Sequence, residues 1–175
     1  MASSEDHGQI PLSTVERLSK DHDCSRFESG EPSLDEWLRK YALINQKTDI
    51  SRTYVAHRSG AVTGYYSISA GSVTQEEAPL RIKKGLPRHP IPVILLARLA
   101  VDKSEQGKGL GRALLKDALF RIIHAADEIG ARAVLVHALH DKARRFYEQF
   151  DFEPSPVNPL QLMLLMKDLR ANLRK

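Results

Sequence analysis

Residues 93–130 read VILLARLAVDKSEQGKGLGRALLKDALFRIIHAADEIG, and three signals follow one another along this stretch. Residues 93–101 are almost all apolar, which is typical of a strand covered on both faces of a sheet. Residues 106–112 contain three glycines at alternating positions. Residues 109–129 have the apolar spacing of a long amphipathic helix, which Gly130 ends. The order of strand, glycine loop and helix predicts an α/β arrangement.

The segments on either side of this stretch extend the sheet. Two β-prone runs, 52–57 and 61–69, flank a turn-forming insert and predict a hairpin. Residues 33–46 carry apolar side chains at helical spacing, which predicts one amphipathic helix. Further along we predict a basic loop over 70–91, strands at 131–138 and 161–167, and a short helix at 141–150. The fold class is therefore α/β (α+β), with a mixed central sheet flanked by helices.

Length and composition predict a single domain. The chain has 175 residues, of which 42% are hydrophobic and 27% charged, and these values exclude a disordered or collagen-like chain. We expect residues 1–19 to be frayed and 20–175 to form the domain. No apolar run exceeds five residues, whereas a membrane helix needs about 20, so we expect no membrane span. One cysteine, Cys24, excludes an internal disulfide and a multi-cysteine metal site, and it fits a cytoplasmic location with no metal.

Positive charge is concentrated in the middle of the chain. Residues 81–112 hold eight Lys or Arg against two Asp or Glu, a net charge of +6. Such a segment attracts a polyanion, either a nucleic acid or a phosphate-rich cofactor, and the alternative is a solvated basic face. Because this segment includes the glycine loop, we expect its charges to lie beside the ligand of that loop.

The glycine loop has the chemistry of a phosphate site. Glycines let the backbone approach a ligand closely, and the following helix N-terminus supplies unpaired N–H groups. A P-loop is excluded because the string GxxxxGK[ST] is absent. A dinucleotide fingerprint is excluded because the third glycine would fall at Arg112. A glycine-rich turn without a ligand is the remaining alternative.

The loop resembles the Q/R-x-x-G-x-G/A motif of the GCN5-related N-acetyltransferase (GNAT) family. Gln106, Gly109 and Gly111 match that motif. The resemblance implies a GNAT fold and acetyl-coenzyme A (acetyl-CoA) as the acetyl donor, with the pyrophosphate on the loop amides and the pantetheine arm on the preceding strand. The implied donor-binding residues are Leu99, Ala100, Val101, Gln106, Gly107, Lys108, Gly109, Leu110, Gly111 and Arg112.

A second stretch, 143–152, resembles the A-x-x-F-Y-x-x-F-G-F helix and turn of the same family. Tyr147 stands at the position of the tyrosine that commonly protonates the departing thiolate, and Asp151 stands where glycine is usual. By pattern alone, a tyrosine beside Phe146 and Phe150 is a core residue. A phenol of pKa about 10 can nevertheless share its proton with a thiolate of pKa about 8.5. The resemblance implies that Tyr147 is the general acid.

The acceptor must be a neutral amine when it attacks. An α-amine of pKa about 7.7 to 8.0 is substantially neutral near pH 7, whereas a lysine near 10.4 is not. Three candidate bases, His137, His140 and Asp102, belong to no recognised base motif. The absence of an evident base favours an α-amine.

Residues 20–167 resemble one subgroup of the family, the acetyltransferase toxins of bacterial toxin–antitoxin pairs. Matching stretches include the LDEWL helix from Leu34 and the RLAVDK run from Arg98. The resemblance implies acetylation of aminoacyl-tRNA, a block of translation, neutralisation by a ribbon-helix-helix antitoxin, and a homodimer. Candidate tRNA contacts are Arg81, Lys83, Lys84, Arg88 and Arg98. The alternatives are a non-toxic enzyme that acetylates a small amine or a protein N-terminus, and a coenzyme-A-binding regulatory module.

Overall fold

The computed structural model describes residues 10–174, and its centre is one seven-stranded sheet. The spatial order of the strands is β1-β2-β3-β4-β5-β7-β6. The β4/β5 pair is parallel and the other neighbours are antiparallel, so the sheet is mixed as predicted. The strands are β1 Glu16–Arg17, β2 Arg52–Arg58, β3 Ala61–Val73, β4 Ile91–Val101, β5 Ala133–His137, β6 Glu153–Pro154 and β7 Gln161–Leu165.

Between residues 10 and 174, six α-helices connect or flank these strands. They are α1 Pro32–Lys40, α2 Ala42–Lys47, α3 Leu80–Lys83, α4 Leu110–Ile129, α5 Asp141–Glu148 and α6 Met166–Leu173. The prediction of one helix over 33–46 is wrong at Tyr41, where the backbone leaves helical geometry and separates α1 from α2. The sequence also gave no sign of α6, because the apolar run of β7 continues directly into that helix.

Strand β4 carries apolar side chains to both faces of the sheet. Ile94 and Leu96 pack with the buried face of α4 in the largest core cluster. Val93 packs with Ile82 of α3 on the other face. Burial on both faces explains why this strand is almost continuously apolar in the sequence.

We expected residues 1–19 to be frayed. Residues 1–9 lie outside the described part of the chain, so the structure bears on this expectation only for residues 10–19. There, Glu16–Arg17 pairs with β2, and the Ser13 amide donates to the His57 carbonyl at 2.8 Å. Leu18 is buried in the core. The described part of this segment is therefore joined to the sheet instead of frayed. Between residues 10 and 174, no helix combines the length and apolar character that crossing a membrane requires.

Gly64 of β3 sets how closely α4 approaches the sheet. A Cβ atom at this position would lie 2.8 Å from Leu114 Cδ1 and 3.1 Å from Leu110 Cδ2. Because Leu110 is the first residue of α4, this contact also positions the glycine loop that precedes the helix.

Replacing Gly64 with valine should lower the free energy of unfolding by about 2 kcal/mol, because the larger side chain overpacks the contact with α4. Gly71→Val on the same strand is the matched control, since its added Cβ would meet Val93 Cγ2 only at an ordinary 3.5 Å. Urea denaturation measures both. Equal stabilities for the two variants would contradict the close α4 contact.

Candidate acetyl-transfer site

Strands β4 and β5 separate halfway along β4. They pair in parallel from Val93 and Ala133 to Leu96 and Val136, and the pairing stops there. On the other side of β4, Ile68 pairs with Leu96 and Ser67 pairs with Arg98, so Ala97 is an extra residue in the ladder. Such a bulge bends its strand and ends regular pairing. Strands β4 and β5 therefore separate at Ala97.

A cavity of about 440 Å³ lies in this split. Leu99, Ala100 and Val101 line it from β4, and Tyr147 lines it from α5. Beyond Leu96, no described strand pairs with β4 on the β5 side, so main-chain groups of β4 face the cavity. The predicted pantetheine-contacting strand and the predicted general acid therefore lie in one cleft.

The glycine loop has the backbone conformation that its sequence requires. Gly107 and Gly109 have φ angles of 76° and 88°, a left-handed conformation that L side chains rarely adopt. The N–H groups of residues 107–112 meet no acceptor within the part of the chain that the structure describes. They lie at the N-terminus of α4, where the partial positive charge of the helix favours an anion. The loop therefore fits a pyrophosphate.

The turn before the loop is fixed at both ends. The Gln106 side-chain amide donates to the carbonyls of Ser29 at 2.7 Å and Val101 at 2.9 Å. Glu105 is buried and accepts from Arg58 Nε at 2.7 Å, and this hydrogen bond holds the pKa of the Glu105 carboxyl below its usual range. Gln106 thus ties the glycine loop to the end of β4.

The two cations of the loop lie outside the cavity lining. Lys108 is exposed. The Arg112 guanidinium lies 4.9 Å from the centroid of the Phe150 ring and donates to Gln149 at 3.4 Å. Both side chains are at the loop end of the cleft, where they add positive charge to that of the helix N-terminus.

Tyr147 belongs both to the core and to the cavity. Its ring packs at 5.2 Å from Phe146 and 5.6 Å from Phe152, centroid to centroid. Burial raises the pKa of Tyr147, so its phenol is protonated throughout the neutral range, as a proton donor must be. The core and catalytic interpretations of this residue are therefore compatible.

Asp151, which takes the place of the usual glycine, adopts a left-handed backbone conformation. Its φ angle is 69°, which aspartate tolerates better than most residues. Its carboxylate accepts from the Asn172 side-chain amide at 3.0 Å.

Arg98 points to the α1 side of the sheet because of the bulge at Ala97. Without that extra residue, strand alternation would place Arg98 on the same face as Ile94 and Leu96, against α4. Its guanidinium instead lies 4.1 Å from the centroid of the Trp37 ring. Burial lowers the pKa of Arg98, yet arginine stays charged at neutral pH. Among the described residues, no hydrogen-bond acceptor or carboxylate pairs with this guanidinium, and it lines the cleft.

The other four basic candidates lie outside the cavity lining, at the opposite end of β4 from the glycine loop. Arg81, Lys83, Lys84 and Arg88 precede the start of β4 at Ile91, while the glycine loop follows its end at Val101. Ten residues of strand span about 33 Å. The expectation that these charges adjoin the ligand of the glycine loop is wrong, because β4 runs between them.

These four cations also differ in their surroundings. Arg81 pairs with Asp168 at 2.8 Å and with Glu153 at 3.9 Å. Lys83, Lys84 and Arg88 form no ion pair with another described residue. The charge of Arg81 is therefore partly compensated, and the other three are free to meet a polyanion.

Of the candidate bases, two line the cavity and one does not. His137 and His140 lie on the β5 side of the cleft. His140 caps α5 by accepting from the Ala143 amide at 3.1 Å, and its other ring nitrogen lies 3.1 Å from Glu31.

Asp102 is outside the cavity and caps the short 3-10 turn Lys103–Glu105. Burial acts to raise the pKa of Asp102, but hydrogen bonds from Glu28 and Ser104 outweigh it and hold the pKa below its usual range. Asp102 is therefore a poor base.

The loop before α1 also contributes to the cleft, and the sequence gave no signal for it. Ser29 and Glu31 of this loop line the cavity, together with Leu34 in the first turn of α1. The position of this loop depends on Asp35, which accepts from the Ser29 amide at 3.0 Å and from its hydroxyl at 2.6 Å. These hydrogen bonds join residues only six positions apart and belong to no recognised sequence motif, so the sequence did not reveal the loop.

One cluster has the residue types of a metal site. Ligand atoms of Glu16, His22 and His57 lie within 4.8 Å of one another. Each histidine Nδ1 accepts from a backbone amide, of Ser19 or Gly60, at 2.9 Å. This hydrogen bonding places the proton on Nε2, which faces Glu16, whereas a metal ligand needs a free electron pair there. The contacts therefore fit two His–Glu hydrogen bonds better than a metal ion.

A mixed sheet that splits beside a glycine loop and a helix N-terminus defines an acyl-CoA-dependent transferase. Residues 49–154 match the acetyltransferase (GNAT) domain. The chain belongs to this family, and the predicted family and fold are confirmed.

Known proteins are similar over nearly the whole chain. A Mycobacterium tuberculosis (strain ATCC 25618 / H37Rv) protein named tRNA-acetylating toxin is 57% identical over 159 residues, covering 91% of this chain and 95% of the relative. The structure of AtaT complexed with acetyl-methionyl-tRNAfMet has a TM-score of 0.85 at 29% identity, covering 93% of this chain and 99% of that one. A tyrosine-to-phenylalanine mutant of AtaT, bound to acetyl-CoA and the C-terminus of the antitoxin AtaR, has a TM-score of 0.80 at 28% identity, with coverages of 94% and 99%.

Replacing Gly109 with valine should abolish measurable acetyl-CoA binding. The φ angle of 88° strains a β-branched residue by about 1–3 kcal/mol, and relief of that strain turns the loop amides away. Gly85→Val is the matched control, because Gly85 has a φ angle of 79° in a segment far from the loop. Calorimetry on folded protein measures both. Unchanged affinity in Gly109→Val would show that the loop does not bind the donor.

Proposed function

We propose that this protein is an acetyl-CoA-dependent N-acetyltransferase that modifies the α-amine of aminoacyl-tRNA and thereby acts as a toxin that blocks translation. The observation that carries the proposal is the cleft between β4 and β5, which has an anion site at one end and the unpaired Arg98 guanidinium at the other. The 57% identical relative named tRNA-acetylating toxin supports the same substrate.

The donor is assigned to the loop side of the cleft. The pyrophosphate of acetyl-CoA would accept hydrogen bonds from the amides of residues 107–112, with Lys108 and Arg112 adding charge. The pantetheine arm would run along residues 99–101. This places the thioester near the bulge at Ala97 and within reach of Tyr147, since both residues line the same cavity.

The chemistry needs one nucleophile and one acid. The neutral α-amine attacks the thioester carbonyl, the C–S bond breaks, and the sulfur takes a proton from Tyr147 while the amine loses one. Because an α-amine is substantially neutral near pH 7, the step needs no strong base. His137 lines the cavity and would receive the amine proton, whereas both ring nitrogens of His140 already have partners, the Ala143 amide and Glu31.

Two groups of cationic side chains would contact different parts of the tRNA. Arg98 would bind at the acceptor end, inside the cleft. Lys83, Lys84 and Arg88 would contact the phosphates of the tRNA body, which is long enough to reach from the cleft to the other end of β4. Arg81 contributes less because Asp168 already pairs with it.

We further propose a cytoplasmic homodimer that a ribbon-helix-helix antitoxin neutralises. A complex of AtaT with the C-terminus of the antitoxin AtaR supports an antitoxin partner. Size-exclusion chromatography with light scattering tests the dimer directly.

Tyr147→Phe should lower kcat by roughly 100-fold, because phenylalanine cannot protonate the thiolate. The KM for acetyl-CoA should change little. The control is Tyr54→Phe, another buried tyrosine, which lies outside the cleft. Because burial raises the pKa of Tyr147, the wild-type rate should not fall as the pH rises to 10. Undiminished turnover in Tyr147→Phe would leave this residue with a packing role only.

Mixed aminoacyl-tRNA should accept radiolabelled acetyl groups at a rate that falls steeply with salt, because each neutralised phosphate releases counterions. Changing Lys83, Lys84 and Arg88 together to alanine should reduce the slope of log rate against log salt by roughly two. Acetyl-CoA affinity should not change.

The control removes two exposed lysines elsewhere, Lys20 and Lys116, and should leave the slope unchanged. Equal slopes in the two variants would contradict local contact. If charged tRNA takes up no label while a small amine or peptide N-terminus does, the toxin assignment is wrong.

A further inference from the structure

A second cavity, of about 350 Å³, adjoins the cleft on the side away from the glycine loop. The two cavities share the lining residues Leu34, Ala97, Arg98, His137 and Leu139. The second cavity is therefore continuous with the place where the acetyl group would react. Its remaining wall is formed by α1, including the exposed Glu36 and the buried Trp37, and by Tyr41.

Tyr41 is unusual among the aromatic residues of this chain. Of the eleven Phe, Trp and Tyr residues, only Tyr41 and Phe120 are exposed, and all eleven lie in the described part. Phe120 is on the outer surface of α4, where its ring packs edge-on against His124. Tyr41 is 50% exposed and lines the second cavity. One half-open aromatic ring thus faces the acceptor side of the cleft.

The exposure of Tyr41 follows from the break between α1 and α2. The Tyr41 amide donates to the Trp37 carbonyl at 2.9 Å, so the residue closes the last turn of α1. Ala42, which begins α2, is fully buried and anchors the helix pair. The backbone at Tyr41 is therefore fixed while its ring stays open to a ligand.

The charged side chains that line this cavity favour the binding of an anion. The Arg98 guanidinium stacks on Trp37 and has no described partner. Glu36 is the acidic residue of the rim, and it pairs with Lys40 at 2.5 Å. An aromatic face and an uncompensated guanidinium in one cavity are the two groups that recognise an unpaired nucleotide, by stacking on its base and by binding its phosphate.

We infer that the second cavity binds the unpaired 3′-terminal nucleotide of aminoacyl-tRNA, with Tyr41 stacked on the base and Arg98 on the adjacent phosphate. The inference rests on the proposed function and names the part of the substrate that the cavity holds. Because the amino acid is esterified to this nucleotide, an α-amine in the cleft requires the nucleotide to occupy the adjoining space.

The base itself then contributes to the reaction rate, which distinguishes this arrangement from simple charge attraction. We compare two small acceptors with the same amino acid, 3′-aminoacylamino-adenosine and the amino acid amide, alongside intact aminoacyl-tRNA. Wild-type protein should acetylate the adenosine compound with a kcat/KM roughly 5- to 100-fold above that of the amide.

Tyr41→Ala should remove most of this preference and raise the KM for aminoacyl-tRNA by a similar factor, with the KM for acetyl-CoA and the rate on the amide unchanged. Tyr41→Phe should keep the preference, because it retains an aromatic ring. The control is Ile44→Ala, one turn further along, which is 59% exposed and lies outside the cavity lining.

Three results would overturn the inference. The first is equal kcat/KM for the two small acceptors in the wild type. The second is an unchanged preference in Tyr41→Ala. The third is that Tyr41→Ala alters which amino acids are accepted on one nucleoside while the base preference stays, because the cavity then holds the amino acid side chain. Wild-type protein that acetylates the amide but neither nucleotide-bearing acceptor would instead refute the proposed function itself.

Discussion

The site depends on one extra residue in one strand. Ala97 interrupts the ladder between β3 and β4, and the pairing of β4 with β5 ends at the preceding residue. Two consequences follow from this bulge: main-chain groups of β4 become available to a ligand, and Arg98 turns from the α4 face to Trp37. The cleft and the orientation of its unpaired Arg98 guanidinium thus have a common origin.

Different interactions dominate at the two ends and in the middle of the cleft. At the loop end, unpaired amides and a helix N-terminus provide partial positive charge that suits an anion. In the middle, the aromatic surroundings of Tyr147 exclude water and keep its phenol protonated. At the acceptor end, the partly buried guanidinium of Arg98 stays charged because arginine is protonated at neutral pH, and it lies over the indole ring of Trp37. A phosphate-bearing donor and a phosphate-bearing acceptor can therefore enter the cleft from opposite ends, so that the acceptor amine meets the thioester of the donor between them.

Much of this arrangement was predictable from the sequence, because the apolar strand, the glycine spacing and the amphipathic helix are local signals that lie next to one another. The family resemblance then implied Tyr147. Three features were not predictable: the break at Tyr41, the loop at Ser29, which short-range contacts to Asp35 position without a recognisable motif, and the contact of Arg98 with Trp37, which joins residues distant in sequence. The prediction for the basic segment failed for a different reason. Residues 81–88 are near the glycine loop in sequence, but the length of β4 separates them from it in space.

The sheet ends on both sides in strands of two residues, Glu16–Arg17 and Glu153–Pro154. Pro154 has no N–H group to donate, and the other edge presents charged side chains; both features discourage another strand from joining a sheet. Few main-chain groups are therefore free for β-augmentation. A protein that docks at either edge of this sheet would therefore meet mainly side chains rather than a free strand.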